Sequence, residues 1–285
     1  MRRSVGDAAL SILLIWTSVL DSKAFSQVLD HLASSDFTIL LYRSVFEKFV
    51  EYRRLGDNNY DSSIPHIRDI LVNAPKFKPL SMDRTNDLYS SYWGMVSTAG
   101  RAVPEIQING NLIHAFEEVP EDSPLFTILA FIVAVTILEE LCEYTIKLIV
   151  GPRIRPYWRL LHEWSGRTWE DIVFDRGHVS VMWLKENVGI MNNILGVALQ
   201  QKKGRGLQVP RDDYQKELSM DVCSSFLASI QSTSLEPIKF HDLPDIQRGP
   251  EITFTRLTPL PIGYRCLYPD TVMVPVGNHH GDLEI

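Results

Sequence analysis

Residues 122–152, DSPLFTILAFIVAVTILEELCEYTIKLIVGP, decide how this chain is read. Asp122 and Ser123 carry side-chain oxygens that can accept hydrogen bonds from the free N–H groups opening a helix. Pro124 suits the first helical turn, where its fixed φ helps and its missing N–H is not needed. Gly151-Pro152 closes the pattern, because glycine ends helices readily and proline cannot continue one. The helix between these signals would be about 40 Å long at 1.5 Å per residue. That length would cross a bilayer as well as a domain, but residues 125–138 are the whole of the apolar stretch. A comfortable span needs about 20 such residues. The stretch then runs into Glu139, Glu140 and Glu143, which lipid would penalise. The spacing therefore predicts a buried central helix.

Upstream, Ser34, Ser35 and Asp36 offer caps for a second helix, with apolar Phe37, Leu41, Val45, Phe46, Phe49 and Val50 at intervals of mostly three and four. Arg53, Arg54 and Gly56 end it. Pro65, Pro75 and Pro79 break residues 57–86 into short helices and loops. A short helix is expected over residues 88–96, and Asn109-Gly110 predicts a hairpin within residues 106–116. At the N-terminus, Met1-Arg2-Arg3 precedes an apolar run over residues 8–20, and Ala24-Phe25-Ser26 outlines a signal-peptide cleavage site. Against a signal, Asp7 interrupts the basic start, and Leu10, Leu13, Leu14, Leu20, Ala24, Val28 and Leu32 approximate a helical stripe running past the cut. An amphipathic first helix and an intracellular protein are expected, with secretion as the alternative.

Downstream, residues 158–164 read as helical. Leu184, Val188, Met191, Leu195 and Leu199 predict a long helix over residues 179–201, ended by Lys202, Lys203 and Gly204. Asp212 is placed to cap a further helix through Leu218, Val222, Phe226, Leu227 and Ile230. The character changes at Glu236-Pro237: seven of the sixteen prolines lie in the last 49 residues, and helical stripes cease. Ile252 and Phe254 alternate with polar neighbours, and residues 263–268 and 271–276 read as short extended runs. Pro259, Pro261 and Pro275 would confine such runs to sheet edges or to an arm. The expected fold class is mainly α, with a helical body over residues 1–236 and a proline-rich, irregular, partly β arm over residues 237–285.

The chain has 285 residues, 45% hydrophobic and 22% charged, with a net charge of -7. Those proportions exclude collagen, low-complexity and charge-rich disordered classes. Cys142, Cys223 and Cys266 are odd in number and far apart, so no disulfide framework or zinc knuckle is indicated. No phosphate-binding loop, dinucleotide fingerprint, nucleophile elbow or His-Glu-x-x-His motif occurs. Lys202-Lys203-Gly204-Arg205-Gly206 lacks the preceding buried strand of a phosphate cradle and reads as a solvated loop.

Charge is segregated. Residues 101–150 hold two basic and eight acidic groups, whereas residues 144–162 hold Lys147, Arg153, Arg155 and Arg159 and no acid. Tyr157 and Trp158 are interleaved with these arginines, and Trp164 follows. Guanidinium groups fit phosphate oxygens and aromatic faces stack on bases, so Arg153, Arg155, Tyr157, Trp158 and Arg159 are candidate contacts to single-stranded nucleic acid or to another copy's acidic segment. The plainer alternative is that the arginines neutralise the end of the long helix and its three glutamates within one subunit. The expected function is a non-enzymatic structural or self-assembly protein, coat-like or nucleoprotein-like, forming a homo-oligomer without metal or cofactor. The alternative is an enzyme whose acid/histidine or metal site is assembled from Glu143, His162, Asp175 and His178.

Overall fold

A computed structural model describes residues 32–53, 64–73, 77–80, 93–97, 105–150, 158–201, 214–230, 237–246 and 251–257. The expected N-terminal helix, the 204–211 loop and the extended runs at 263–268 and 271–276 lie outside these residues. Helix α1, Asp36–Arg53, starts where the Ser35 hydroxyl accepts the Thr38 N–H at 3.3 Å. Its inward face buries Ile39, Tyr42, Val45, Phe46 and Phe49. Helix α2, Ile64–Val72, packs against α1.

The mainly α expectation is overturned: the fold is mixed α/β, with a three-stranded and a four-stranded sheet among the described residues. In the first sheet, β1 (Phe77–Leu80) runs parallel to β3 (Glu105–Asn109), and β2 (Gly94–Ser97) pairs antiparallel with the other side of β3. Residues 94–96, read above as the end of a short helix, belong to β2. No hairpin forms at Asn109-Gly110. Asn109 has φ -51°, whereas the expected two-residue turn needs positive φ at its centre. The Asn109 side chain instead accepts the N–H groups of Asn111 at 2.9 Å and Leu112 at 3.3 Å, so β3 passes directly into α3, Gly110–Glu118.

Helix α4, Pro124–Val150, is the long helix read from the sequence. Ser123 caps it by accepting the Leu125 N–H at 3.3 Å. An α-helix that is apolar on all sides needs cover on all sides. α2, α3, β2, β3, α5 (Trp158–Val173) and α6 (Met220–Ile230) supply it. Tyr42 of α1 also donates its hydroxyl to the Leu138 carbonyl at 2.9 Å. The helix is long and apolar enough to span a membrane, yet 89% of its most apolar window is buried within the protein.

Residues 179–201 do not form the expected helix. They form β4 (His178–Leu184) and β5 (Ile194–Gln201), joined through two single 3-10 turns and Gly189 at φ 87°. These strands pair antiparallel, Val181 opposite Val197. Val179, Val181 and Trp183 alternate with Ser180 and Met182, but both sets are buried, so the two-residue period is hidden. Leu195, a member of the supposed helical stripe, is 46% exposed. Residues 214–218, expected to begin a helix, form β6 (Tyr214–Leu218), and α6 starts only after Ser219, whose hydroxyl accepts the Val222 N–H at 3.4 Å.

The second sheet has the order β6-β5-β4-β7, with β7 (Ile252–Arg256) pairing antiparallel on β4 from Ser180↔Arg256 to Leu184↔Ile252. The alternating run at Ile252 and Phe254 thus takes an edge position in the sheet, one of the two places expected for extended runs of the C-terminal segment. Trp183 Nε1 donates to Thr255 Oγ1 at 2.7 Å, tying the same two strands together. Trp93, just before β2, and Trp183 of β4 stack with centroids 6.3 Å apart, joining the two sheets. Phe131 of α4, Phe226 of α6, and Phe174 and Trp169 at the end of α5 meet mostly edge-on or tilted in the core.

Candidate functional site

The C-terminal half of α4 buries four charge-bearing residues: Glu139 (6% exposed), Glu140 (4%), Glu143 (2%) and Lys147 (5%). Glu139, Glu143 and Lys147 are four residues apart and share one side of the helix. Burying unpaired charges costs several kcal/mol each, so partners decide whether the centre is tolerated. The Lys147 ammonium pairs with Glu143 Oε1 and donates to the Val96 carbonyl of β2 at 3.1 Å. Two residues earlier on β2, the backbone of Gly94 lies close to α4. A Cβ there would sit 2.7 Å from Thr136 Cγ2 and 2.8 Å from Glu140 Cγ. Glycine is what allows β2 to lie along the acidic face. Cys142 lies within the same stretch, and burial, reinforced by the charges of Glu143 and then Glu139, pushes its thiol well above the ordinary range.

A second ionic cluster joins α5 to β4. His178 Nδ1 lies 3.0 Å from Glu170 Oε2, and Nε2 lies 3.7 Å from Asp171 Oδ1. Glu170 Oε1 also accepts the Val179 N–H at 2.8 Å. Burial raises the Asp171 carboxyl above the usual range; His178 and then Arg167 oppose the rise, Glu170 adds to it, and Lys48 opposes it.

The sequence-based site residues fall in different places. Arg153, Arg155 and Tyr157 lie outside the described residues, Trp158 and Arg159 begin α5, and His162 lies in its second turn. Of the acid/histidine set, Glu143 pairs with Lys147, whereas His178 pairs with Glu170. Asp175 sits in the α5–β4 turn at φ 48°, where its backbone carbonyl accepts Gln201 Nε2 at 3.1 Å. Among the described residues, no group of three or more His, Cys, Asp or Glu is arranged to hold a metal ion.

Glu170 and the contact of Lys147 with β2 escaped sequence reasoning. The Glu143/Lys147 spacing was a usable signal, since residues four apart on a helix meet. Glu139-Glu140-x-x-Glu143 also keeps the register of His-Glu-x-x-His, with carboxylates where that motif has imidazoles. Here the cation beside Glu143 is a lysine of the same helix. Searches against known protein families, curated proteins and solved structures find no match.

Proposed function

We propose that this chain is a non-enzymatic structural protein that acts by associating with further copies of itself. The observation that carries this reading is the buried Glu143–Lys147–Val96 contact, which commits the most enclosed acid of the long helix to internal structure. Chemistry with a partner then falls to the surface, and the sequence offers a segregated pair of charges for it. Of the eight acids in residues 101–150, Glu117, Glu118, Glu121 and Asp122 are exposed ahead of α4, while the Arg153, Arg155 and Arg159 segment that follows α4 is basic and aromatic. Complementary charge between copies guides association and register, and it is screened by salt.

The test is the solution mass of the purified chain across concentration and salt, beside a variant with Arg153, Arg155 and Arg159 all replaced by alanine. Association that falls with added salt and falls in the variant, with helical content unchanged, supports the reading. A wild-type chain that stays monomeric throughout refutes it. Nucleic acid co-purifying with the wild type, read from its absorbance ratio, would make single-stranded nucleic acid the partner instead.

The second reading is an acid/histidine enzyme, favoured by the Glu170–His178 contact. A carboxylate that orients an imidazole is an arrangement used by general bases. Hydrolysis of chromogenic esters or peptides that disappears in His178→Ala would favour this reading.

A further inference from the structure

The turn from α5 into β4 holds two consecutive non-glycine residues at positive φ, Asp175 at 48° and Arg176 at 66°. Residues with a Cβ rarely adopt that conformation, so surrounding contacts must hold it. Backbone bonds supply part of the hold: Arg176 N–H to the Asp171 carbonyl and Gly177 N–H to the Phe174 carbonyl, both at 2.8 Å. The side chains supply the rest. His178, the first residue of β4, is 6% exposed and stands between two successive carboxylates from the last turns of α5. Glu170, with a side chain 1% exposed, also grips β4 through the Val179 N–H.

We propose that His178, bracketed by Glu170 and Asp171, is a proton-operated latch that fastens the α5–β4 turn. As an imidazolium it has two N–H donors and attracts both carboxylates. As a neutral ring it has one donor, which the shorter contact assigns to Glu170, and its other nitrogen turns a lone pair toward Asp171. Loss of the proton therefore releases Asp171, whose side chain is 45% exposed and free to turn to water. Imidazole is the side chain that ordinarily changes charge between about pH 5 and 8. Among the described residues, the charged groups facing this pair are Glu170, Asp171 and Arg167 from α5 and Lys48 from α1. Cross-strand on β5, Gln200 is neutral and its Oε1 accepts the Ser180 hydroxyl. Burial raises the Asp171 carboxyl, and His178 is the first of the groups that oppose the rise, as expected where the imidazole and the carboxylate attract. The sign follows from the pairing: an imidazolium attracts both carboxylates and a neutral ring donates to one, so the turn loosens as the imidazole proton is lost with rising pH.

Amide hydrogen exchange over residues 171–184 of the full chain, corrected for the intrinsic pH dependence of exchange, reads the latch directly. Protection should be about two- to fivefold greater near pH 5.5 than near pH 8, the size expected of a partly exposed ion pair. Asp171→Asn keeps shape at a half-exposed position and should diminish the pH dependence without unfolding the chain, the Glu170 contact remaining. Equal protection at the two pH values in the wild type, or an undiminished pH dependence in Asp171→Asn, overturns the proposal.

Discussion

Replacing Lys147 with methionine keeps most of the aliphatic stem and removes the ammonium, and it should cost about 3–5 kcal/mol of folding stability. The magnitude follows from where the pair sits. The Lys147 and Glu143 side chains are 4% and 2% exposed, so water cannot screen the carboxylate once its cation is gone. The Val96 carbonyl simultaneously loses the donor it holds at 3.1 Å, which adds about 1 kcal/mol. Urea denaturation followed by far-UV circular dichroism would give the change at constant m value. The decisive comparison is Glu143→Leu combined with Lys147→Met. If the penalty is that of an orphaned buried charge, removing both partners should recover most of the loss, since an apolar pair of similar volume is tolerated. A Lys147→Met variant within about 1 kcal/mol of the wild type would refute the reasoning. So would a double variant whose loss is the sum of the single losses.

Gly94→Ala should cost about 1–3 kcal/mol in the same denaturation experiment, because its Cβ would fall 2.7 Å from Thr136 Cγ2 and force β2 off α4; an unchanged midpoint would show that β2 yields freely. The native chain should expose at most one of its three thiols to a disulfide reagent near pH 8, and all three after unfolding. Burial pushes Cys223 up to about 12 and Cys142 well above its ordinary range, leaving almost no thiolate at either position. Rapid reaction of two thiols in the native state would contradict this.

Helices α1 and α4 were legible in the sequence because their signals are local. Ser35 and Ser123 cap through hydroxyls within three residues, and the apolar run of α4 needs no knowledge of its neighbours to read as a buried helix. Of the strands, β7 was legible, because Ile252 and Phe254 alternate with polar neighbours, whereas β4 and β5 were illegible for a matching reason. Residues 178–183 are buried on both faces, so no alternation separates them from a helix, and their state is set by pairing with Ile194–Gln201 and Ile252–Arg256. Asn109 offered two local outcomes, a turn or a helix cap, and β3 between two partner strands selected the cap.

The candidate site divides in the same way. The sequence alone determined that three carboxylates and a lysine would share one long helix, since that follows from spacing and a 3.6-residue turn. Tertiary structure decided what their charges meet. Lys147 reaches a carbonyl 51 residues away on β2, whose approach depends on the missing side chain of Gly94. Glu170 and His178 belong to different elements and meet because the turn at Asp175 and Arg176 reverses the chain. Ion pairs buried in this way depend on distance and dielectric, which arise only when separate elements pack together.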